Sequence, residues 1–165
     1  MSNEHFIAVG DLTKASDLAD LADNPEVTLD VTELDLLRLP QHVKASLFTQ
    51  ATTFDAPQLQ TSGYIDARSA KSFSAPQLQT SGYIDARSAK SFSAPQLQQS
   101  GDIYADSAKS FSAPQLQQSG FIDASCAKSF SAPQLQKSGD DLRAPKLPAP
   151  TLTQRIRAAL HLSPK

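Results

Sequence analysis

Phe54, Phe73, Phe92, Phe111 and Phe130 stand 19 residues apart, and each of the first four opens the same 19-residue phrase. A fixed period of this length is the mark of one structural unit repeated and stacked on itself. The first copy runs from Phe54 to Ser72, and the second differs from it only in having Ser74 where the first has Asp55. A fifth copy begins at Phe130 and loses the pattern after Gly139. The phrase also extends backwards more faintly. Leu29, Val31, Leu34, Leu37, Leu39 and Pro40 carry the spacing of Ile65, Ala67, Ala70, Phe73, Ala75 and Pro76, although Leu37 and Phe54 are 17 residues apart rather than 19. Residues 27–148 therefore read as one stack of roughly six or seven coils.

Hydrophobic residues make up 39% of the chain and charged residues 19%, with Ser and Gln filling the difference. Such a composition is open to disorder. The regular placement of Phe, Leu and Ile argues for a packed core instead, because a disordered chain has no reason to space apolar residues periodically.

Within one copy the residues suggest how the chain turns. Proline cannot donate to a sheet ladder and is confined to edges, strand starts and bends. Pro57, Pro76, Pro95, Pro114 and Pro133 therefore stack at one corner. Gly63, Gly82, Gly101, Gly120 and Gly139 are expected at another corner, where glycine adopts positive φ easily. Tyr64-Ile65-Asp66-Ala67-Arg68 alternates, with Ile65 and Ala67 inward and the other three outward, as in a half-buried strand. Ala70 and Phe73 return inward on the far side. The expected fold is a mainly β, right-handed parallel β-solenoid with short helical caps at both ends. At about 4.8 Å per coil it would be about 30 Å long.

Ser81-Gly82-Tyr83-Ile84-Asp85-Ala86-Arg87, followed by Phe92-Ser93-Ala94-Pro95 and Leu97, resembles a short bacterial or phage leucine-rich repeat. It is also similar to the turns of receptor L domains. The resemblance covers residues 27–148. It departs where Ala86 and Ala94 stand for the family's leucines and where the inward asparagine is missing, which makes the coil thinner. The resemblance implies protein recognition through the exposed strand face and no chemistry.

The flanks read differently. Residues 1–26 form an N-terminal cap. Within it, residues 11–24 predict a short helix with Leu12, Ala15, Leu18, Ala19 and Ala22 near one face, stopped by Asn24-Pro25. The run Phe6-Ile7-Ala8-Val9 is expected to pack under that helix. Residues 149–165 combine a Pro-rich linker with an amphipathic helix whose stripe is Leu152, Ile156, Ala159 and Leu160. That helix either covers the last coil or offers Leu152, Ile156 and Leu160 to a partner or a second copy.

Little in the sequence suggests catalysis, a metal or a cofactor. His5, His42 and His161 are scattered without ligand spacing. Cys126, the single cysteine, fills the slot of Ser69, Ser88 and Ser107, and no disulfide can form within the chain. A net charge of −2 gives no electrostatic footprint for nucleic acid. Nothing reads as a signal peptide or a membrane span, so a cytoplasmic protein is the expectation. Lys71, Lys90, Lys109 and Lys128 form one column, read either as a solvated ladder or as an anion-binding strip. The Gln58 and Gln60 columns are read as stacked amides that hold the structure.

Thirteen of the 19 slots are identical in all four copies, and much of the variation falls on the outward strand face and its flank. One column reads Tyr64, Tyr83, Asp102, Phe121. The next reads Asp66, Asp85, Tyr104, Asp123, and a third Arg68, Arg87, Asp106, Ser125. Aromatics among charges are what interface centres favour. The expectation is a non-enzymatic protein-binding module. Tyr64, Tyr83, Tyr104 and Phe121 would be its anchors, and the charged residues, Asp66, Asp85, Arg68 and Arg87 foremost, would set register and partner choice. The near-identical copies fit recent duplication, as in an inhibitor encoded by a phage or mobile element. The rival expectation is a structural protein that stacks or oligomerises through its ends or its C-terminal helix.

Overall fold

The computed structural model describes residues 5–11, 15–136 and 142–144. In chain order the elements begin with β1 (His5–Ala8), α1 (Ala15–Ala22), β2 (Val27–Asp30) and α2 (Glu33–Leu36). β3 (His42–Val43), β4 (Ser46–Phe48), β5 (Thr53–Asp55), β6 (Thr61–Asp66) and β7 (Ser72–Ser74) follow. Next come β8 (Thr80–Asp85), β9 (Ser91–Ser93), β10 (Gln99–Tyr104) and β11 (Ser110–Ser112). The last are β12 (Ile122–Asp123), β13 (Ser129–Ser131) and β14 (Leu142–Arg143). The strands stack into two parallel sheets, and the whole is a β-solenoid. The first sheet runs β1-β2-β4-β6-β8-β10-β12-β14, with β3 also beside β6, and the second runs β13-β11-β9-β7-β5.

One coil shows why the phrase closes. In β7 the ring of Phe73 points into the core while Ser72 and Ser74 stay outside. Ala75, buried, starts a tight turn over Pro76-Gln77, closed by Leu78 N–H donating to the Ala75 carbonyl at 3.2 Å. Proline pre-sets the backbone for that turn. After β8 a second tight turn over Arg87-Ser88 is closed by Ala89 N–H on the Ala86 carbonyl at 2.9 Å. Both turns bring small alanines inward, leaving room for the large side chains. The core is thus columns of Phe, Leu and Ile separated by alanine.

The columns keep register even where the period slips. Ile7, Leu29, Leu47, Ile65, Ile84, Ile103, Ile122 and Leu142 pair rung by rung along the first sheet. In the second sheet, Phe54, Phe73, Phe92, Phe111 and Phe130 stack with centroids 4.6–4.8 Å apart and planes within 10° of parallel. That distance is the spacing of hydrogen-bonded strands, so the backbone ladder sets the ring stack.

Several expectations need correction. The glycines are not positive-φ corners, since no described glycine has positive φ. Gly63, Gly82 and Gly101 lie inside β6, β8 and β10, where neighbouring coils approach most closely. A Cβ on Gly82 would sit 2.6 Å from the Gly63 carbonyl oxygen, and one on Gly63 equally close to that of Lys44. The glutamine columns are joined through the backbone, with Gln79 N–H donating to Gln60 O and Gln98 N–H to Gln79 O, both at 2.8 Å. No glutamine amide ladder forms among the described residues. Leu34 and Leu37 do not point inward. They are 74% and 47% exposed, because Thr32 caps α2 with a reciprocal box to Asp35, and Leu36 is buried instead, while Leu39 is buried as its spacing predicts.

The N-terminal segment also differs. Phe6 to Ala8 belong to β1, which adds a rung to the first sheet, and Val9 is buried just after it. Helix α1 buries Leu18 and Ala22 but leaves Ala19 exposed. Helix α2 lies against β5, the N-terminal edge of the second sheet. Glu33 Oε1 accepts from Thr53 N–H at 3.1 Å and from Thr52 Oγ1 at 2.8 Å, so it covers part of an edge that would otherwise be open to pairing. The expected C-terminal linker and helix lie outside the described residues. Among the described residues no helix is long and apolar enough to cross a membrane.

Candidate binding face on the first sheet

β6, β8 and β10 set the outward face because Ile65, Ile84 and Ile103 are locked inward, which turns the residues on either side of them outward. The register places Tyr64 beside Tyr83 and Tyr83 beside Asp102, and in the adjacent column Asp66, Asp85, Tyr104 and Asp123 follow in order. Coil by coil, Tyr83-Ile84-Asp85 becomes Asp102-Ile103-Tyr104, so the aromatic and the acid exchange columns. The next coil has Phe121 and Asp123 in the original order.

The exchange does not break the aromatic run. Tyr64 stacks on Tyr83 at 4.6 Å, with planes 6° apart. Tyr83 then meets Tyr104 diagonally at 5.5 Å, and Tyr104 meets Phe121 diagonally at 5.2 Å, with the rings tilted by 36° and 46°. Diagonal neighbours in a sheet are within reach of aromatic side chains. Arg87 covers the Tyr104 ring at 5.3 Å and Arg143 covers Phe121 at 5.7 Å, both within cation–π range. The four rings thus form one strip crossing four coils, each half-buried.

The acids behave differently from the expectation. Asp66 and Asp85 are 6% and 1% exposed. Each carboxylate is held by the arginine two residues on, with Nε donating to Oδ1 at 2.8 Å in both coils. Each also accepts from that arginine's backbone N–H, at 3.3 and 3.4 Å, which fixes the entry into the turn. The carboxylates of Asp66 and Asp85 therefore order their own coil and are not displayed to a partner. What the face displays is the guanidinium side, with the Arg68 and Arg87 side chains 56% and 49% exposed. Asp123 repeats the turn contact through Ser125 N–H at 3.1 Å, with Arg143 4.0 Å away. Asp106 takes the arginine slot in the third coil, and its buried Oδ1 has no hydrogen-bond partner.

The ion pairs raise both arginines above their ordinary pKa, chiefly through the side-chain hydrogen bond to Asp66 or Asp85. Burial first, and Asp66 and Asp85 after it, push the Tyr64 hydroxyl up. The Tyr83 hydroxyl is pushed up to about 12, by burial and then by Tyr64, Asp85 and Tyr104. Both tyrosines therefore remain neutral donors at physiological pH.

At its N-terminal end the strip opens into a shallow groove of about 320 Å³ lined by Thr28, Ser46, Leu47, Phe48, Tyr64, Asp66 and Arg68. Phe48 and Arg143 are the members of this face that the repeat did not reveal. They occupy the Asp66 column on either side of the repeats, Phe48 next to Asp66 and Arg143 next to Asp123, in coils that have lost the 19-residue phrase. Leu152, Ile156 and Leu160, expected as a second contact, lie outside the described residues. No protein-family model, no curated protein and no solved structure matches the chain.

Proposed function

We propose that the chain is a non-enzymatic protein-binding module that docks a partner on the aromatic–arginine strip of the first sheet. The observation that carries this is the persistence of the strip through the column exchange. Side chains in coils three and four differ from those in coils one and two, yet ring contact continues from Tyr64 to Phe121. Stacked, half-buried rings lose little conformational entropy on binding, and aromatic and arginine side chains dominate interface energetics. Stacking on one another also leaves Tyr64 and Tyr83 showing edges and hydroxyls, which suits a polar protein surface. The resemblance to leucine-rich repeats favours the same face.

End-to-end stacking of solenoids is the weaker reading, because α2 and Glu33 occupy the N-terminal edge of the second sheet. The test is affinity capture from the source cell's lysate, followed by titration of the captured partner. Tyr83→Ala and Tyr104→Ala should each weaken binding by roughly ten-fold or more while the far-ultraviolet spectrum is unchanged. Wild-type affinity in both variants would sink the proposal.

A further inference from the structure

The edge of the second sheet carries a different pattern. Lys71, Lys90, Lys109 and Lys128 are all exposed, one per coil. Their backbones are joined directly: the N–H groups of Lys90, Lys109 and Lys128 each donate to the preceding lysine's carbonyl at 2.7 or 2.8 Å, and Lys71 N–H donates to the Thr52 carbonyl at 2.7 Å. Among the described residues none of the four ammonium groups has an ion-pair partner, whereas Arg68, Arg87 and Lys44 each hold a carboxylate. The strands that follow them, β7, β9, β11 and β13, present two serines per rung to the outside. The one carboxylate on the described strands of this sheet is Asp55, at its N-terminal end.

Packing does not require this column. The buried phenylalanines, alanines and isoleucines fill the core, and the glycines permit close approach. The lysines do neither, and among the described residues they make no side-chain hydrogen bond. Like charges one rung apart repel by about 1 kcal/mol per pair even in water. Lysine nevertheless stands at the four rungs of β7, β9, β11 and β13, including the two coils in which the first-sheet face has changed, and Thr52 takes its slot beside β5.

We propose that this lysine–serine strip binds a linear anionic polysaccharide laid along the solenoid axis. A ligand with one charge per repeat matches a surface with one cation per rung, and a chain of linked sugar rings advances by one ring length per charge, close to one rung. The serine columns beside the lysines offer hydroxyls to the sugar hydroxyls. An acidic peptide strand fits less well, because its same-face residues recur every ~6.6 Å and fall out of step with ~4.8 Å rungs. Single-stranded nucleic acid would need aromatic platforms for its bases, and the described strands of this sheet bury every phenylalanine ring at least in part. A lipid surface is favoured by cations spread over a patch with apolar side chains to insert, and this strip is a single line without them.

The test uses the full chain and calorimetric titration at low salt with polygalacturonate, heparin and uncharged dextran, plus vesicles containing phosphatidylserine. Binding is expected to polygalacturonate, which carries one carboxylate per sugar, and none to dextran; heparin, which adds sulfates to its carboxylates, assigns the strip to sulfate if it alone binds. Lys109→Gln should weaken it several-fold. The charge-matched variant Lys44→Gln, whose side chain pairs with Asp23 away from the strip, should bind as wild type does. Equal losses in the two variants would reduce the effect to net charge and overturn the proposal. Binding to vesicles alone, or to no polymer, would overturn it as well.

Discussion

Gly82 shows how a residue's role can be misjudged from its type. Glycine suggests a left-handed turn, but here the backbone needs the missing Cβ rather than a special φ. Gly82→Ala should therefore lose about 1–3 kcal/mol in urea denaturation. Gly10→Ala, where an added Cβ meets nothing within 4 Å, should stay within about 0.5 kcal/mol of wild type. Asp66 and Asp85 teach a related lesson. Alternation assigns them correctly to the outward face, yet alternation is blind to an arginine two residues on that folds over the carboxylate. Tyr83 gives a pH signature. Its pKa is raised by folding to about 12, so its contribution to stability is present below the ordinary tyrosine value of about 10 and is lost as pH rises towards 12. Wild type should lose more melting temperature than Tyr83→Phe between about pH 10 and 12. Every other group is common to the two proteins and cancels in the comparison. An identical loss would show that Tyr83 is not buried as described.

At the scale of elements, the sequence is legible where the phrase is intact and fails where a helix replaces a strand. The Phe, Ile and Ala columns follow from the 19-residue period because each rung repeats one set of inward residues. Leu34 and Leu37 fit that spacing by coincidence. The local capping signal at Thr32 and Asp35 overrides them, since a satisfied cap and a buried Leu36 outweigh two exposed leucines. Thr32→Ala should cost about 0.5–2 kcal/mol, measured by denaturant unfolding. The same variant should increase aggregation if α2 guards the edge of β5. The aromatic strip was half legible: its columns could be written from the repeat, but contact between columns depends on the lateral closeness of adjacent rungs. Arg143 and Phe48 were not legible as members, because the coils that hold them no longer carry the repeat.

For the whole molecule, stability is expected to accumulate coil by coil, because each coil packs mainly on its two neighbours. Excising residues 73–91 joins Ser72 to Phe92 and keeps every downstream register. That protein should fold, unfold at lower denaturant and show a smaller m value. Loss of folding would mean that the coils are not interchangeable units. The molecule presents two unlike sides, a variable aromatic–arginine face on the first sheet and a lysine–serine strip repeated unchanged from β7 to β13 on the second. Site-specific photo-crosslinking in the source cell separates them most directly, with a photoreactive residue placed at Tyr104 in one protein and at Ser93 in another. The account predicts a discrete protein adduct from position 104 and none from position 93. A protein adduct from position 93, with none from 104, would contradict it.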